Sequence, residues 1–159
     1  KIGNQEQEVT VIELGHFLEE LVKSMNLPED IEIRLSRDWP TIMSDPLLLR
    51  QIFQNLLDNA QKYTVAPHKW IEIGFLPEQN KTITVFVRDN GIGIGAAYHE
   101  QIFGLFERLH SSSEYSGTGV GLAIVKKAAG RLGGTVTLES TEGQGSSFYV
   151  SLPIKQASG

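Results

Sequence analysis

Asp45-Pro-Leu-Leu-Leu-Arg-Gln-Ile-Phe-Gln-Asn-Leu-Leu-Asp-Asn-Ala-Gln-Lys62 reads as one long helix. At about 100° per residue, Leu49, Ile52, Phe53, Leu56, Leu57 and Ala60 fall on a single apolar arc broad enough to lie on a sheet. Ser44 is the expected cap and the pattern runs to about Tyr63. Beside the arc, Gln51, Asn55, Asn59 and Lys62 follow at spacings of four, four and three, a polar stripe along one edge.

Outward from this helix the chain alternates strands and helices. Upstream, a short strand at Val9–Val11 precedes Leu14, Phe17, Leu18, Leu21, Val22 and Met25 at helical spacing, with Pro28 as the stop. Ile31–Leu35 alternates as a strand, and another lies near Thr41–Met43. Downstream, Trp70–Phe75 and Thr82–Asp89 read as a hairpin turning at Pro77–Lys81. A short helical piece around His99–Phe106 leads to Leu109–Ser116, a stretch without periodicity that reads as a mobile loop. A helix over Val120–Leu132 stops at Gly133-Gly134, and Thr135–Ser140 and Ser146–Leu152 form a last hairpin around Glu142–Gly145. The mixture predicts one mixed sheet with helices layered on one face. Residues 1–159 are expected to form a single domain, with 1–6 and 156–159 as linker or tail.

Composition narrows the function. A chain of 159 residues buries a sufficient core without staples, and with no cysteine it has neither disulfides nor thiolate metal sites. The net charge of -5 comes with no basic block, so nucleic acid is a poor partner. No apolar run approaches the roughly 20 residues that span a bilayer. A cytoplasmic setting without membrane contact is the expectation.

Three places carry chemistry. A solvated helix face would display a stripe like that of Gln51 to Lys62. Asn, however, is a poorer helix former than Glu, Lys or Gln, so two of them mid-helix give up propensity without structural return. Amide oxygens are hard ligands that suit Mg²⁺, and Lys62 one turn on can neutralise phosphate. In the strand Thr82–Asp89, Asp89 shares its parity with Ile83, Val85 and Val87 and points inward, where an ionised carboxylate needs a donor. An adenine amine is such a donor, and Gly91 and Gly93 let backbone approach the base. Asp-Asn-Gly is also ordinary turn chemistry. Finally, Gly117, Gly119 and Gly121 precede a helix, whose free N–H groups and dipole suit a phosphate chain. The spacing is neither a P-loop nor a dinucleotide fingerprint. Glu139 lies near the distance of a ribose-binding acid, but no strand leads into Gly117.

Taken in this order, the motifs make the chain resemble the catalytic and ATP-binding domain of sensor histidine kinases, within the superfamily of gyrase and Hsp90-type ATPases. Asp45 to Thr64 is similar to the N box of that family, Asp89–Gly93 to its first glycine box and Ile102–Phe106 to its F box. Gly117–Gly121 matches the second glycine box and Gly143–Phe148 the terminal glycine segment. Glu107–Gly119 is further similar to phytochrome-type kinases. The resemblance implies an α+β Bergerat fold, a two-layer α/β sandwich with a mostly antiparallel mixed sheet and about three helices on one face. It implies ATP and Mg²⁺ as cofactors, with Asn59 ligating the metal, Asp89 the adenine amine and Ser146 orienting it through water. Lys62 and Arg108 would address phosphates, and Tyr63 would line the base or ribose pocket. Gly117, Thr118, Gly119, Val120, Gly121 and Leu122 would wrap the phosphate chain beside Gly91 and Gly93.

Two departures sharpen this. Where the water-activating relatives carry a Glu one turn before the metal Asn, this chain has Asn55, and an amide is no general base. That favours transfer to an imidazole over hydrolysis, and disfavours a clamp ATPase; a degenerate regulatory module is disfavoured by intact Asn59 and Asp89. Moreover, none of His16, His68, His99 and His110 stands in a phosphoacceptor context. The implied partners are a dimeric phosphoacceptor-His domain of the same homodimeric kinase and a response regulator.

Overall fold

The structure, a computed structural model, describes residues 8–63, 68–91, 120–141 and 144–154, without the side chains of 62, 63, 120 and 141. In chain order the elements are β1 (Thr10–Glu13), α1 (Leu14–Met25), β2 (Ile31–Leu35), β3 (Thr41–Ser44) and α2 (Pro46–Tyr63). They continue as β4 (Lys69–Gln79), β5 (Thr82–Asp89), α3 (Val120–Arg131), β6 (Thr135–Thr141) and β7 (Gly145–Pro153). Five strands form one sheet in the order β2-β4-β5-β7-β6, and β1 pairs with β3 in a separate two-stranded sheet. Only β2 and β4 run parallel, because α2 makes the crossover between them; the other pairs are antiparallel. The Bergerat sandwich predicted from the resemblance is therefore the observed architecture. The second sheet is an addition to the single one expected, and Ile154 joins the two, donating to the Lys81 carbonyl and accepting from the Met43 N–H.

Alternation along the strands explains the layers. Ile71, Ile73, Ile83, Val85, Val87, Phe148, Val150 and Leu152 face the helices and are buried with Leu14, Leu18 and Leu21 of α1. The whole predicted arc of α2 is buried there, as are Leu122, Val125, Ala128 and Ala129 of α3. On the opposite face, which no described helix covers, Phe86 occupies the space where Gly74 lacks a Cβ, and the Arg88 guanidinium lies 4.0 Å from the Phe86 ring centroid.

Several boundaries differ from the expectation for local reasons. Asn26, left-handed at φ 54°, ends α1 before Pro28 is reached. In the first hairpin Pro77 stays within β4, beside the register shift between Leu76 and Gln79, and Asn80-Lys81 make the turn with both φ positive. Ser44 closes β3, and Asp45 caps α2: its Oδ1 accepts from the N–H groups of Leu47 (2.9 Å) and Leu48 (3.3 Å), with Pro46 at the first helical position. Its Oδ2 accepts from the Glu8 N–H at 3.1 Å, so one buried carboxylate ties the strand that enters the domain to the helix that carries the polar stripe. Asp45→Ala is expected to lower stability by about 1–3 kcal/mol, a lost cap plus an orphaned N–H. Chemical denaturation reads the loss, and a change within error would remove the cap from the account. At the other end of the core, α3 closes in a Schellman motif, with Gly133 at φ +81° and the Gly134 N–H donating to the Ala129 carbonyl at 2.8 Å.

Candidate functional site

Asp89 ends β5 on the helix-facing side, 6% exposed, as its parity with Val85 and Val87 requires. Its Oδ1 accepts from the Gly91 N–H at 2.8 Å, an Asx turn, so the turn chemistry of Asp-Asn-Gly and the inward carboxylate are both present. The nearby Ser146 N–H also favours the charged form. Burial nevertheless outweighs both, and the carboxyl is pushed up from 3.8 to about 6. A carboxylate has about four acceptor sites, so capacity remains for a ligand donor. Asn90 is occupied structurally, accepting from the Trp70 N–H (3.0 Å) and donating to the His68 carbonyl (2.5 Å), which pins the start of β4 beside the end of β5.

Across the sheet from Asp89 lies Ser146 of β7, and across from Ser146 lies Ser140 of β6. Ser140 Oγ donates to the Gly145 carbonyl at 2.8 Å and lies 2.9 Å from Ser146 Oγ. Ser140 was not among the residues that the sequence singled out, since a serine near a hairpin reads as turn chemistry; its registry opposite Ser146 is the signal. Gly145, at φ +101°, has no room for a Cβ, which would strike the Asp89 carbonyl oxygen.

The stripe on α2 divides. Gln51 is exposed; Asn55 and Asn59 are half-buried. Asn55 turns back along its own helix, Nδ2 donating to the Gln51 carbonyl at 2.6 Å, and its Oδ1 would be 2.9 Å from a Cβ on Gly121. Gly121 thus leaves room for the Asn55 amide where α3 packs on α2. Asn59 has no side-chain hydrogen bond among the described residues. Leu122 points into the core. Lys62 and Tyr63 lie in the last turn of α2 and Val120 opens α3, but their side chains fall outside the description; Gly93, Arg108, Gly117, Thr118 and Gly119 lie outside the described residues altogether, as do the F box and the Leu109–Ser116 loop. The structure brings together Asp89, Gly91 and Ser146 at one end of the sheet, and Asn55 with Gly121 where α2 meets α3.

A two-layer sandwich with a buried carboxylate at a strand end, facing a long amide-bearing helix and a glycine-opened one, defines a nucleotide-binding domain of the Bergerat class. Residues 44–156 match the model of the family described as histidine kinase-, DNA gyrase B- and HSP90-like ATPase. The chain belongs to that family, whose fold binds Mg-ATP. It is 40% identical over 147 residues to cyanobacterial phytochrome B of Nostoc sp., a match covering 92% of this chain and 20% of that protein. It is 43% identical over 124 residues to the methanogenesis regulatory histidine kinase FilI of Methanothrix harundinacea, covering 77% of this chain and 14% of that one. Among solved structures, full-length ShkA in complex with AMPPNP superposes with a TM-score of 0.81 at 28% identity, over 98% of this chain and 33% of ShkA. The chain therefore spans a fifth or less of the length of these two curated relatives.

Proposed function

We propose that this chain, as one domain, is the catalytic and ATP-binding part of a sensor histidine kinase. It holds Mg-ATP and passes the γ-phosphoryl group to a histidine on a separate dimerisation and phosphoacceptor domain of a homodimeric, cytoplasmically exposed parent, from which a response regulator takes it. Among the described residues, no helix is long and apolar enough to cross a membrane.

The observation that carries this reading is Asp89, a carboxylate 6% exposed, for which the hydrogen bond from the Gly91 N–H and the nearby Ser146 N–H do not offset the cost of burial. A donor supplied by a ligand offsets the rest, and the adenine amine is that donor. Ser146 supports it, and Gly91 and Gly93 let the base approach. Lys62 and Arg108 face the phosphates, Tyr63 lines the pocket, and the N–H groups from Gly117 to Leu122 hold the phosphate chain.

Mg²⁺ fits these residues. No cluster of three or more His, Cys, Asp or Glu among the described residues makes a protein-only metal cage. One half-buried amide, Asn59, whose side chain makes no hydrogen bond among the described residues, is the sparse hard donor expected of a magnesium ion shared with phosphate. When bound, the ion neutralises charge on the transferring phosphoryl group. The protein itself then contributes positioning: Asn55 is tied to its own helix and activates no water, and a neutral imidazole needs no such base.

Mixing the chain with an acceptor-His domain and γ-labelled ATP is expected to yield acid-labile label on the acceptor; acid-stable label, or free phosphate alone, defeats the reading. Asn59→Ala is expected to make nucleotide affinity in Mg²⁺ fall to its value in chelator. An unaltered Mg²⁺ titration removes Asn59 from the metal.

A further inference from the structure

We propose that Asn90 is a positioning residue for the nucleotide: its side-chain amide stands in for main chain beyond the end of β5, so that the backbone turns out of the sheet at Gly91 while the start of β4 stays paired. The inference rests on the nucleotide reading above and deepens it.

The last ladder pair of β4 and β5 is Ile71 with Asp89. On β4 the Ile73 carbonyl accepts from the Ser36 N–H on the β2 side, so by alternation the main-chain groups of Glu72 and Trp70 turn toward β5. Were β5 to run on, its backbone would meet Trp70. Instead Asn90 Oδ1 accepts from the Trp70 N–H at 3.0 Å, and Nδ2 donates to the His68 carbonyl at 2.5 Å. A primary amide has the acceptor and the donor of a peptide group without the chain on either side. One side chain thus supplies both bonds that a further length of strand would have made.

That substitution releases the backbone for another use. Gly91 gives its N–H to Asp89 Oδ1 at 2.8 Å, a bond within the turn and not across the sheet. An extended strand and an Asx turn need different backbone conformations at Asn90, so the two are alternatives. The amide decides between them, because it satisfies the head of β4 without the strand. Gly145 closes the other flank, where a Cβ would lie 3.1 Å from the Asn90 Cα. His68 stands shortly after Tyr63, the last residue of α2, so the same amide ties the chain returning from the helix of Asn59 to the strand end that bears Asp89. Loss of the amide leaves a donor and an acceptor at the head of β4, and extension of β5 to meet them draws Gly91 off the carboxylate. Asn90 touches no ligand in this scheme; it acts through Asp89 and Gly91.

Calorimetry of the 159-residue chain with Mg-ATP, beside chemical denaturation and the amide resonances, makes the test. Asn90→Ala is expected to weaken Mg-ATP affinity about tenfold in a chain that denaturation shows to be folded. Asn90→Asp keeps the shape and the acceptor for Trp70 but sets an oxygen against the His68 carbonyl, and is expected to weaken affinity at least as much. Asn80 turns the other end of the same hairpin at φ 51°, so Asn80→Ala is expected to lower stability while holding affinity within about twofold. The Gly91 amide resonance is expected to move upfield in Asn90→Ala, and that of Gly134, bound to the Ala129 carbonyl, to stay in place. Unaltered affinity in Asn90→Asp overturns the proposal, since shape without the donor then suffices. So does an affinity loss shared equally by Asn80→Ala and Asn90→Ala, which leaves Asn90 as hairpin structure, and so does a Gly91 resonance that does not move. If the unaltered chain binds no Mg-ATP, the nucleotide reading itself fails; if it binds and the Asn90 variants bind as tightly, this inference alone does.

Discussion

Asp89→Asn is expected to weaken Mg-ATP binding by at least about a hundredfold while making the unliganded chain more stable, a pair of opposite effects that few single substitutions produce. The loss follows from charge and direction. Asn keeps one acceptor oxygen, which the Gly91 N–H already engages, and turns an NH₂ toward the adenine amine, donor against donor. The gain follows from linkage. Burial raises the Asp89 carboxyl from 3.8 to about 6, so between those values the folded chain binds more protons than the unfolded one. Stability therefore falls as pH rises through this window, by about 3 kcal/mol in all, and stays at the lower level above it. The Asn variant has no such titration. Denaturation of the wild type is expected to show the decline between about pH 4 and 6 against a flat contribution in the variant. The affinity of the wild type for Mg-ATP is expected to run the other way, falling below about pH 6 as the carboxyl takes up a proton and ceases to accept. Calorimetry with unchanged affinity in Asp89→Asn would remove the carboxylate from the site.

The same residue shows what a sequence can and cannot carry. That Asp89 points inward was legible from the alternation with Val85 and Val87, because strand parity is fixed by backbone geometry. The arc of α2 was legible for the same kind of reason, a helical period filled by large aliphatic residues. Its cap was not: Ser44 and Asp45 are both good capping types, and the choice fell to Asp45 because Pro46 supplies the first helical residue and Ser44 is needed as the last of β3. Asn55 illustrates a deeper limit. Its spacing from Asn59 is a property of one helix, but its place against Gly121 exists only once α3 packs on α2. Ser140 is further still from local reading. Its weight comes from a cross-strand partner and from a carbonyl five residues on, and neither is visible until the register of the last hairpin is set. Pro77 marks the limit of turn signals, since a proline beside a bulge stays in a strand that propensity alone would end.

That last hairpin also holds the second large effect. Gly145 begins β7 at φ +101° and its Cα faces the Asp89 carbonyl so closely that any Cβ would strike it. Gly145→Ala combines a backbone conformation that L residues avoid with a contact to main chain, which cannot swing aside. Together these are expected to cost about 3–5 kcal/mol. Gly134 gives the matched comparison: a Cβ there would strike the Ser151 carbonyl oxygen, again main chain, but at the junction of α3 and β6 and away from Asp89. Both variants are expected to unfold at clearly lower denaturant, while Gly130→Ala, with nothing within 4 Å of its new methyl group, is expected to gain up to about 1 kcal/mol from helix propensity. The two destabilised variants part on binding. If the start of β7 retreats to admit the methyl group of Gly145→Ala, the Ser146 N–H leaves Asp89 and the Ser140 contact to Gly145 opens, so the surviving folded fraction is expected to bind Mg-ATP at least about a hundredfold more weakly. Folded Gly134→Ala keeps the row of Asp89, Ser146 and Ser140 and is expected to bind within about threefold of the unaltered chain. Equal affinities in the two folded variants would mean that the turn before Ser146 does not position the carboxylate, and that the site is organised from α2 and α3 alone.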